Sequence, residues 1–225
     1  MKKAVILSLC ATALIASAVC HAQEPPAPAN TPPPLEEVTV SVSGLYGDWK
    51  MVLPEWPGID KPVTGDFCNF KKRDDGVSIS CADGFLDAVP QVTLDGDNHL
   101  RMRWGGALNH TIYDAVWTDG AYEGEIVQAQ MGLVAHRIKA NMERVPQQQA
   151  ADAPQSSLTA LNDYLAKRGA QAAFNAKYFG KILEQKGDAR TFPDVFKVSD
   201  AAGAEQWCLV RADVTPADIR CRNIP

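Results

Sequence analysis

Residues 68–81 read CNFKKRDDGVSISC, and residues 208–221 read CLVRADVTPADIRC. Each stretch begins and ends in cysteine, with the pair 13 positions apart. Folded as an antiparallel hairpin, each closes on itself. Cys68 then lies opposite Cys81 and Phe70 opposite Ile79, leaving the loop Arg73-Asp74-Asp75-Gly76. Cys208 lies opposite Cys221 and Val210 opposite Ile219, leaving Asp213-Val214-Thr215-Pro216. Directly opposed residues of a non-hydrogen-bonded pair sit ~4.5 Å apart at Cα, which a disulfide can bridge. The pattern predicts the disulfides Cys68–Cys81 and Cys208–Cys221, each stabilising by on the order of 3 kcal/mol in the chain-entropy model. A zinc site needs close Cys-x-x-Cys or Cys/His pairs, and neither spacing occurs, so no metal is expected.

Structural disulfides imply an oxidising compartment, and the first residues agree. Lys2 and Lys3 precede an apolar run from Ala4 to Val19, and small residues follow at Ala16-Ser17-Ala18 and Cys20-His21-Ala22. This is the build of a secretory signal peptide over residues 1–22. The run falls short of the ~20 residues of a spanning helix, and prolines follow it. Cleavage near Ala22 removes Cys10 and Cys20 and leaves four cysteines, an even number that suits a disulfide framework. Lipidation of Cys20 is the alternative and would tether the chain to a membrane, although Ser17-Ala18-Val19 is a poor match to the usual lipoprotein residues. The expected location is therefore periplasmic or secreted, with membrane attachment only through Cys20.

The chain holds 22 Lys+Arg against 27 Asp+Glu, a net charge of −5. An acidic balance argues against nucleic acid as partner. The charge is uneven: residues 23–156 carry 10 basic and 19 acidic side chains, residues 157–225 carry 10 and 8. Two parts of opposite sign can dock on each other.

Residues 23–37, QEPPAPANTPPPLEE, predict an extended Pro-rich tether. From residue 38 to 145 apolar and polar residues alternate and break at turn residues, with Asp-Gly at 75–76, 95–96 and 119–120. Asp-Gly between alternating runs signals hairpins. Eight or nine short strands follow, beginning with Val38–Ser43, as an antiparallel meander closed into a barrel or folded as a sandwich. Residues 146–156 read as a linker. Residues 157–225 predict a smaller α+β domain. In it, one helix is capped by Ser156 or Ser157, buries Leu158, Leu161 and Leu165, and ends at Gly169. A second helix over 170–186 makes a helical hairpin, with Phe174, Tyr178, Ile182 and Leu183 on one face and Lys177 and Lys181 one turn apart beside Tyr178. A strand over 195–198 and the second stapled hairpin complete the domain.

Gly47-Asp48-Trp49, at the start of the meander, resembles the Gly-x-Trp that opens the first strand of lipocalin-like barrels. The likeness covers three residues and is one of fold; it implies a lipocalin-like barrel.

No Gly-x-Ser-x-Gly elbow, His-Glu-x-x-His, phosphate-binding loop or dinucleotide fingerprint occurs. The expectation leans away from an enzyme, and no cofactor is called for. His99, His110 and His136 lie on or beside predicted strands at spacings that do not enforce a metal site. Most carboxylates, such as Asp74, Asp75, Asp95 and Asp97, sit at turns, where they set the backbone. The aromatic residues are the functional lead. Trp56, Trp104, Trp117 and Tyr122 are the candidate ligand-binding residues, lining an apolar pocket of the β domain for a small apolar or glycan ligand. Trp49 and Trp117 alternate with apolar neighbours as core residues do, whereas Trp56, between Pro54 and Pro57, is the one expected to be exposed. The leading expectation is an exported, non-catalytic binding protein of a bacterial envelope. The alternative is an interaction module or inhibitor that contacts an envelope protein through Trp56 and residues 54–63. A hydrolase with dispersed carboxylates comes third.

Overall fold

The structure is a computed structural model that describes residues 42–74, 76–84, 89–95, 98–145, 153–168 and 174–225. The signal peptide, the Pro-rich tether and most of the linker expected at 146–156 lie outside the described residues. The described residues all belong to one compact unit. Among them no helix is long and apolar enough to cross a membrane.

Eight antiparallel strands form one sheet: β1 (Gly47–Leu53), β2 (Val63–Arg73), β3 (Gly76–Cys81), β4 (Gln91–Leu94), β5 (His99–Gly105), β6 (His110–Thr118), β7 (Ala121–Gln130) and β8 (Leu133–Arg144). Their order is β3-β2-β1-β8-β7-β6-β5-β4, so β1 pairs with β8 and, among the described residues, the seam lies between β3 and β4. The result is a nearly closed, barrel-like meander, and its first strand begins at Gly47. Asp119 and Gly120 both adopt positive φ, 49° and 97°, the tight hairpin turn that Asp-Gly favours. Val42–Leu45 is a short 3-10 helix, so the alternation starting at Val38 does not continue as a strand to Ser43.

Both predicted disulfides are present, with Cα–Cα distances of 4.0 Å for Cys68–Cys81 and 4.1 Å for Cys208–Cys221. The registers Phe70 opposite Ile79 and Val210 opposite Ile219 hold as well. The loops differ. In the first hairpin Arg73 still pairs with Gly76, and in the second pairing already ends at Arg211 and Asp218.

The C-terminal part holds α1 (Gln155–Lys167), a small ribbon of β10 (Glu184–Lys186) and β11 (Ala189–Thr191), and a four-stranded sheet. That sheet comprises β9 (Asn175–Lys181), β12 (Asp194–Ser199), β13 (Glu205–Arg211) and β14 (Asp218–Ile224), in the order β14-β13-β12-β9. The second helix expected over 170–186 is therefore incorrect: 175–181 and 184–186 are strands. Phe174 and Tyr178, four apart, fit the helical period and the strand period equally well. What the helical reading missed is that Tyr178 packs on one side of the sheet and Phe179 on the other. Gly180, with φ of 128°, marks a bulge there, and a Cβ on it would meet the Phe67 ring at 3.3 Å. Lys177 and Lys181 accordingly lie on β9 and not on a helix face. In α1, Leu161 and Leu165 are buried as expected. Neither Ser156 nor Ser157 caps it; the helix starts one residue earlier, after Pro154, and the buried Ser157 hydroxyl donates to Asp194 Oδ2 at 2.6 Å.

Three apolar clusters follow from this layering. One fills the barrel-like sheet. A second unites Phe67 and Ala82 with Phe179, Val195, Trp207 and Leu209 of the C-terminal sheet. A third packs Leu161 and Leu165 of α1 on the opposite face, against Phe196, Val198, Cys208 and Val210. Ion pairs rim the shared cluster. Lys197 contacts Asp48 and Glu205, both at 3.0 Å, and Asn69 donates to Asp48 Oδ1 at 2.7 Å. Ion pairs of both polarities join the two parts, Lys197 with Asp48 and Lys71 with Glu205 at 3.3 Å.

Candidate functional site

In an antiparallel meander alternate residues face inward. Pairing places Trp49, Met51 and Leu53 on the same face as Asp66, Cys68 and Phe70, and Trp104, Thr111, Gln128 and His136 at equivalent positions on neighbouring strands. The interior is plugged at one end and open at the other. At the plugged end the Trp49 ring meets Phe70, Trp117 and Tyr122 at 6.3, 6.4 and 5.9 Å, and its Nε1–H donates to the Leu45 carbonyl at 2.6 Å. The Arg144 guanidinium lies 4.3 Å over the same indole. In the middle, the Tyr113 hydroxyl donates to the carbonyl of Tyr122 at 2.8 Å. Burial pushes that phenol far above the usual tyrosine range, so it stays a neutral donor.

At the open end lies a cavity of about 640 Å³. Met51, Leu53, Ile126, Ile138 and Leu183 supply its apolar wall, and Trp56, Asp66, Gln128 and His136 its aromatic and polar groups. The β10 segment forms one side and is pinned there: Leu183 N–H donates to the Thr64 carbonyl at 2.8 Å, and Trp56 Nε1–H donates to Gln185 Oε1 at 2.9 Å. Arg220 holds the Glu184 carboxylate at 2.7 Å beside it. A second cavity of about 600 Å³ adjoins it through Gln128, between Trp104, His110 and Met131.

Asp66 is the unusual group in this wall. It is 4 % exposed. Its Oδ1 accepts the backbone N–H groups of Phe67, Ala82 and Asp83 at 2.8, 3.1 and 3.3 Å. Its Oδ2 is buried with no hydrogen-bond partner among the described residues. Burial, and then the adjacent Asp83 carboxyl, raise its pKa well above the ordinary carboxylate range, against the lowering effect of the backbone donors. The shift favours the neutral acid, whose proton either Asp83 or an occupant of the cavity can accept. Trp104 Nε1 and His110 Nδ1 are likewise buried without partners among the described residues, in the adjoining cavity.

The sequence-predicted residues thus separate. Trp56 and Trp104 reach the open end, in the two adjoining cavities. Trp117 and Tyr122 pair with each other next to the β6–β7 turn, at the plugged end. Trp117 is 38 % exposed and is not a core residue, because it lies at the last turn of the ribbon; Trp56 is half-buried behind its bond to Gln185. The sequence reading missed Asp66, although its alternation with Cys68 and Phe70 marks an inward carboxylate. His99 lies far from the cavity, paired with Asp95 and Asp114. Among the described residues the one cluster of metal-ligating types is Asp66, Cys68 and Cys81, and its two sulfurs are joined in a disulfide.

No protein-family model, curated protein or solved structure matches the chain. The fold and site define a disulfide-stapled, barrel-like antiparallel protein with an internal cavity at one end.

Proposed function

We propose that this is an exported, non-catalytic protein that binds a small, mainly apolar ligand in the open end of its barrel-like sheet. The observation that carries the reading is the 640 Å³ cavity, walled by Met51, Leu53, Ile126, Ile138 and Leu183, with the buried Asp66 carboxyl in its lining. Its volume suits a small molecule, and apolar walls with a few convergent polar groups are the usual composition of such sites. Five aliphatic side chains ask for an apolar body. Protonated Asp66 asks for one hydrogen-bond acceptor, such as a carbonyl, ether or hydroxyl oxygen. This chemistry favours an amphiphile over a glycan, whose many hydroxyls would face Met51, Leu53 and Ile138 unpaired.

Titration of intrinsic tryptophan fluorescence with a long-chain alcohol or a fatty-acid methyl ester is expected to shift the emission of Trp56, while a soluble oligosaccharide leaves it unchanged. Ile138→Gln, which puts an amide into the apolar wall, should weaken that response about tenfold. Absence of any shift with either class of compound would sink the proposal.

One observation favours a second reading. Asp83 stands beside Asp66 and lines the same cavity, which gives a protonated carboxyl and a neighbouring carboxylate of the kind that acid–base hydrolysis uses. Turnover of a bound ester by the wild type, lost in Asp66→Asn with binding retained, would select it.

A further inference from the structure

The cavity of about 600 Å³ beside the apolar one has a chemistry of its own. It lies where the β5–β6 and β7–β8 loops meet, and hydrogen bonds fix that meeting. Gly132 N–H donates to the Leu108 carbonyl at 2.9 Å, and Met131 N–H donates to Asn109 Oδ1 at 3.0 Å. Within the first loop, Gly105 permits a close approach. Its φ is 88°, and a Cβ on it would meet the Asn109 carbonyl oxygen at 2.5 Å.

Two side chains in its wall carry orphaned polar atoms. Trp104 is 8 % exposed, and its Nε1–H, which can only donate, has no acceptor among the described residues. His110 Nδ1, which donates or accepts according to the tautomer, is buried without a partner among them as well. Leaving such a group unpaired costs about 1–3 kcal/mol, so buried polar atoms are normally satisfied. An occupant of the cavity can supply both bonds. Asn109, Thr111, Gln128 and Gln130 add amides and a hydroxyl, and no Asp, Glu, Lys or Arg is among the described residues that line it. An ionised headgroup would be buried there without a counter-charge. Hydroxyl groups, which both donate and accept, suit this uncharged mixture of donors and acceptors. Gln128 also lines the apolar cavity, so the two spaces meet at one side chain.

We infer that this second cavity binds the uncharged, hydroxylated headgroup of an amphiphile whose chain occupies the apolar cavity next to it. A monoacylglycerol has that build. The Trp104 indole donates to a headgroup oxygen, and His110 exchanges a hydrogen bond with a headgroup hydroxyl. The placing of the chain rests on the ligand reading proposed above, whereas the headgroup contacts stand on Trp104 and His110. The division also gathers the hydroxyls that the aliphatic wall would leave unpaired into the space that can pair them.

The test titrates the full chain with monooctanoylglycerol, methyl octanoate and octanoate, which share a chain and differ in the head. Trp56 emission reports the chain. The nitrogen–proton indole resonance of Trp104, assigned by its loss in Trp104→Phe, reports the head. The glyceride is expected to bind about tenfold more tightly than the methyl ester, with octanoate weakest at neutral pH, and to move the Trp104 resonance as the ester does not. Trp104→Phe and His110→Phe should each reduce that preference to about twofold, the loss falling on the glyceride. Three results overturn the inference: a Trp104 resonance that the glyceride leaves in place, as it would if water alone satisfied the indole; equal affinity of the wild type for glyceride and ester; or tightest binding of octanoate. If the Trp104 resonance moves while Trp56 emission does not respond, the headgroup site stands and the reading of the apolar cavity falls.

Discussion

Trp207→Ala is expected to destabilise the protein by about 4 kcal/mol, within the range for removing a fully buried tryptophan. Trp207 is completely buried on β13, with the Phe179 ring edge-on at 5.0 Å. Its Nε1–H donates at 2.9 Å to the carbonyl of Ser80, 127 residues away on β3. The substitution therefore opens a cavity in the cluster that both sheets share and removes the side-chain donor to a carbonyl of β3. Because the cluster belongs to both, the loss should appear everywhere at once. Urea unfolding followed by far-UV circular dichroism and by the fluorescence of the plug around Trp49 should show one transition, moved to lower denaturant by the same amount in both signals. A variant in which the C-terminal sheet melts first, with the plug unmoved, would show that the shared cluster does not couple the two sheets. Trp207→Phe keeps most of the apolar area and should cost only about 1–2 kcal/mol, mainly from the lost indole hydrogen bond to the Ser80 carbonyl.

Much of the barrel-like sheet was legible in the sequence because its signals are local. The cysteine spacing and the apolar pair inside each staple admit a single register, since a slip of one residue would turn Phe70 and Ile79 to the other face. Asp119-Gly120 names its own turn. The C-terminal part was read less well for an equally physical reason. Residues 174–182 place apolar groups at even spacing, which two periods share, and the choice between them is made by partners far along the chain: β12 alongside, and Phe67 against Gly180. That misreading hid the site as well, because Leu183 and Gln185, assigned to a helix, turn out to form one side of the cavity. Trp56 looked exposed for the same reason, since nothing local announces a bond to Gln185 at 129 residues' separation.

Asp66 should make the protein less stable as pH rises, and Asp66→Asn should remove that trend. In an unfolded chain an aspartate titrates near pH ~3.9. In the folded protein burial and Asp83 raise the pKa well above that. Below about pH 4 both states hold the proton, and the group adds no pH dependence. Between there and the folded pKa only the folded state holds it, so stability falls with rising pH, by about 1.4 kcal/mol for each unit by which the two pKa values differ. Above the folded pKa the loss is complete and the curve levels. Asparagine keeps an acceptor oxygen for the Phe67, Ala82 and Asp83 N–H groups and cannot ionise. Urea midpoints across this range should therefore converge for the two proteins in acid and diverge toward neutral pH, with Asp66→Asn the more stable. Asp66→Ala is the contrasting case. It removes the acceptor of the Phe67 and Asp83 N–H groups, while Ala82 N–H keeps the Phe67 carbonyl at 2.9 Å, and should cost about 1–3 kcal/mol at every pH. If Asp66→Asn instead proves less stable than the wild type at neutral pH, the carboxyl is ionised in the fold, and Asp66 is not the neutral donor that the ligand proposal requires. If it behaves as expected, an amphiphile bound through its oxygen should stabilise the wild type most in acid. That pH dependence should be absent in Asp66→Asn, whose amide N–H donates at every pH.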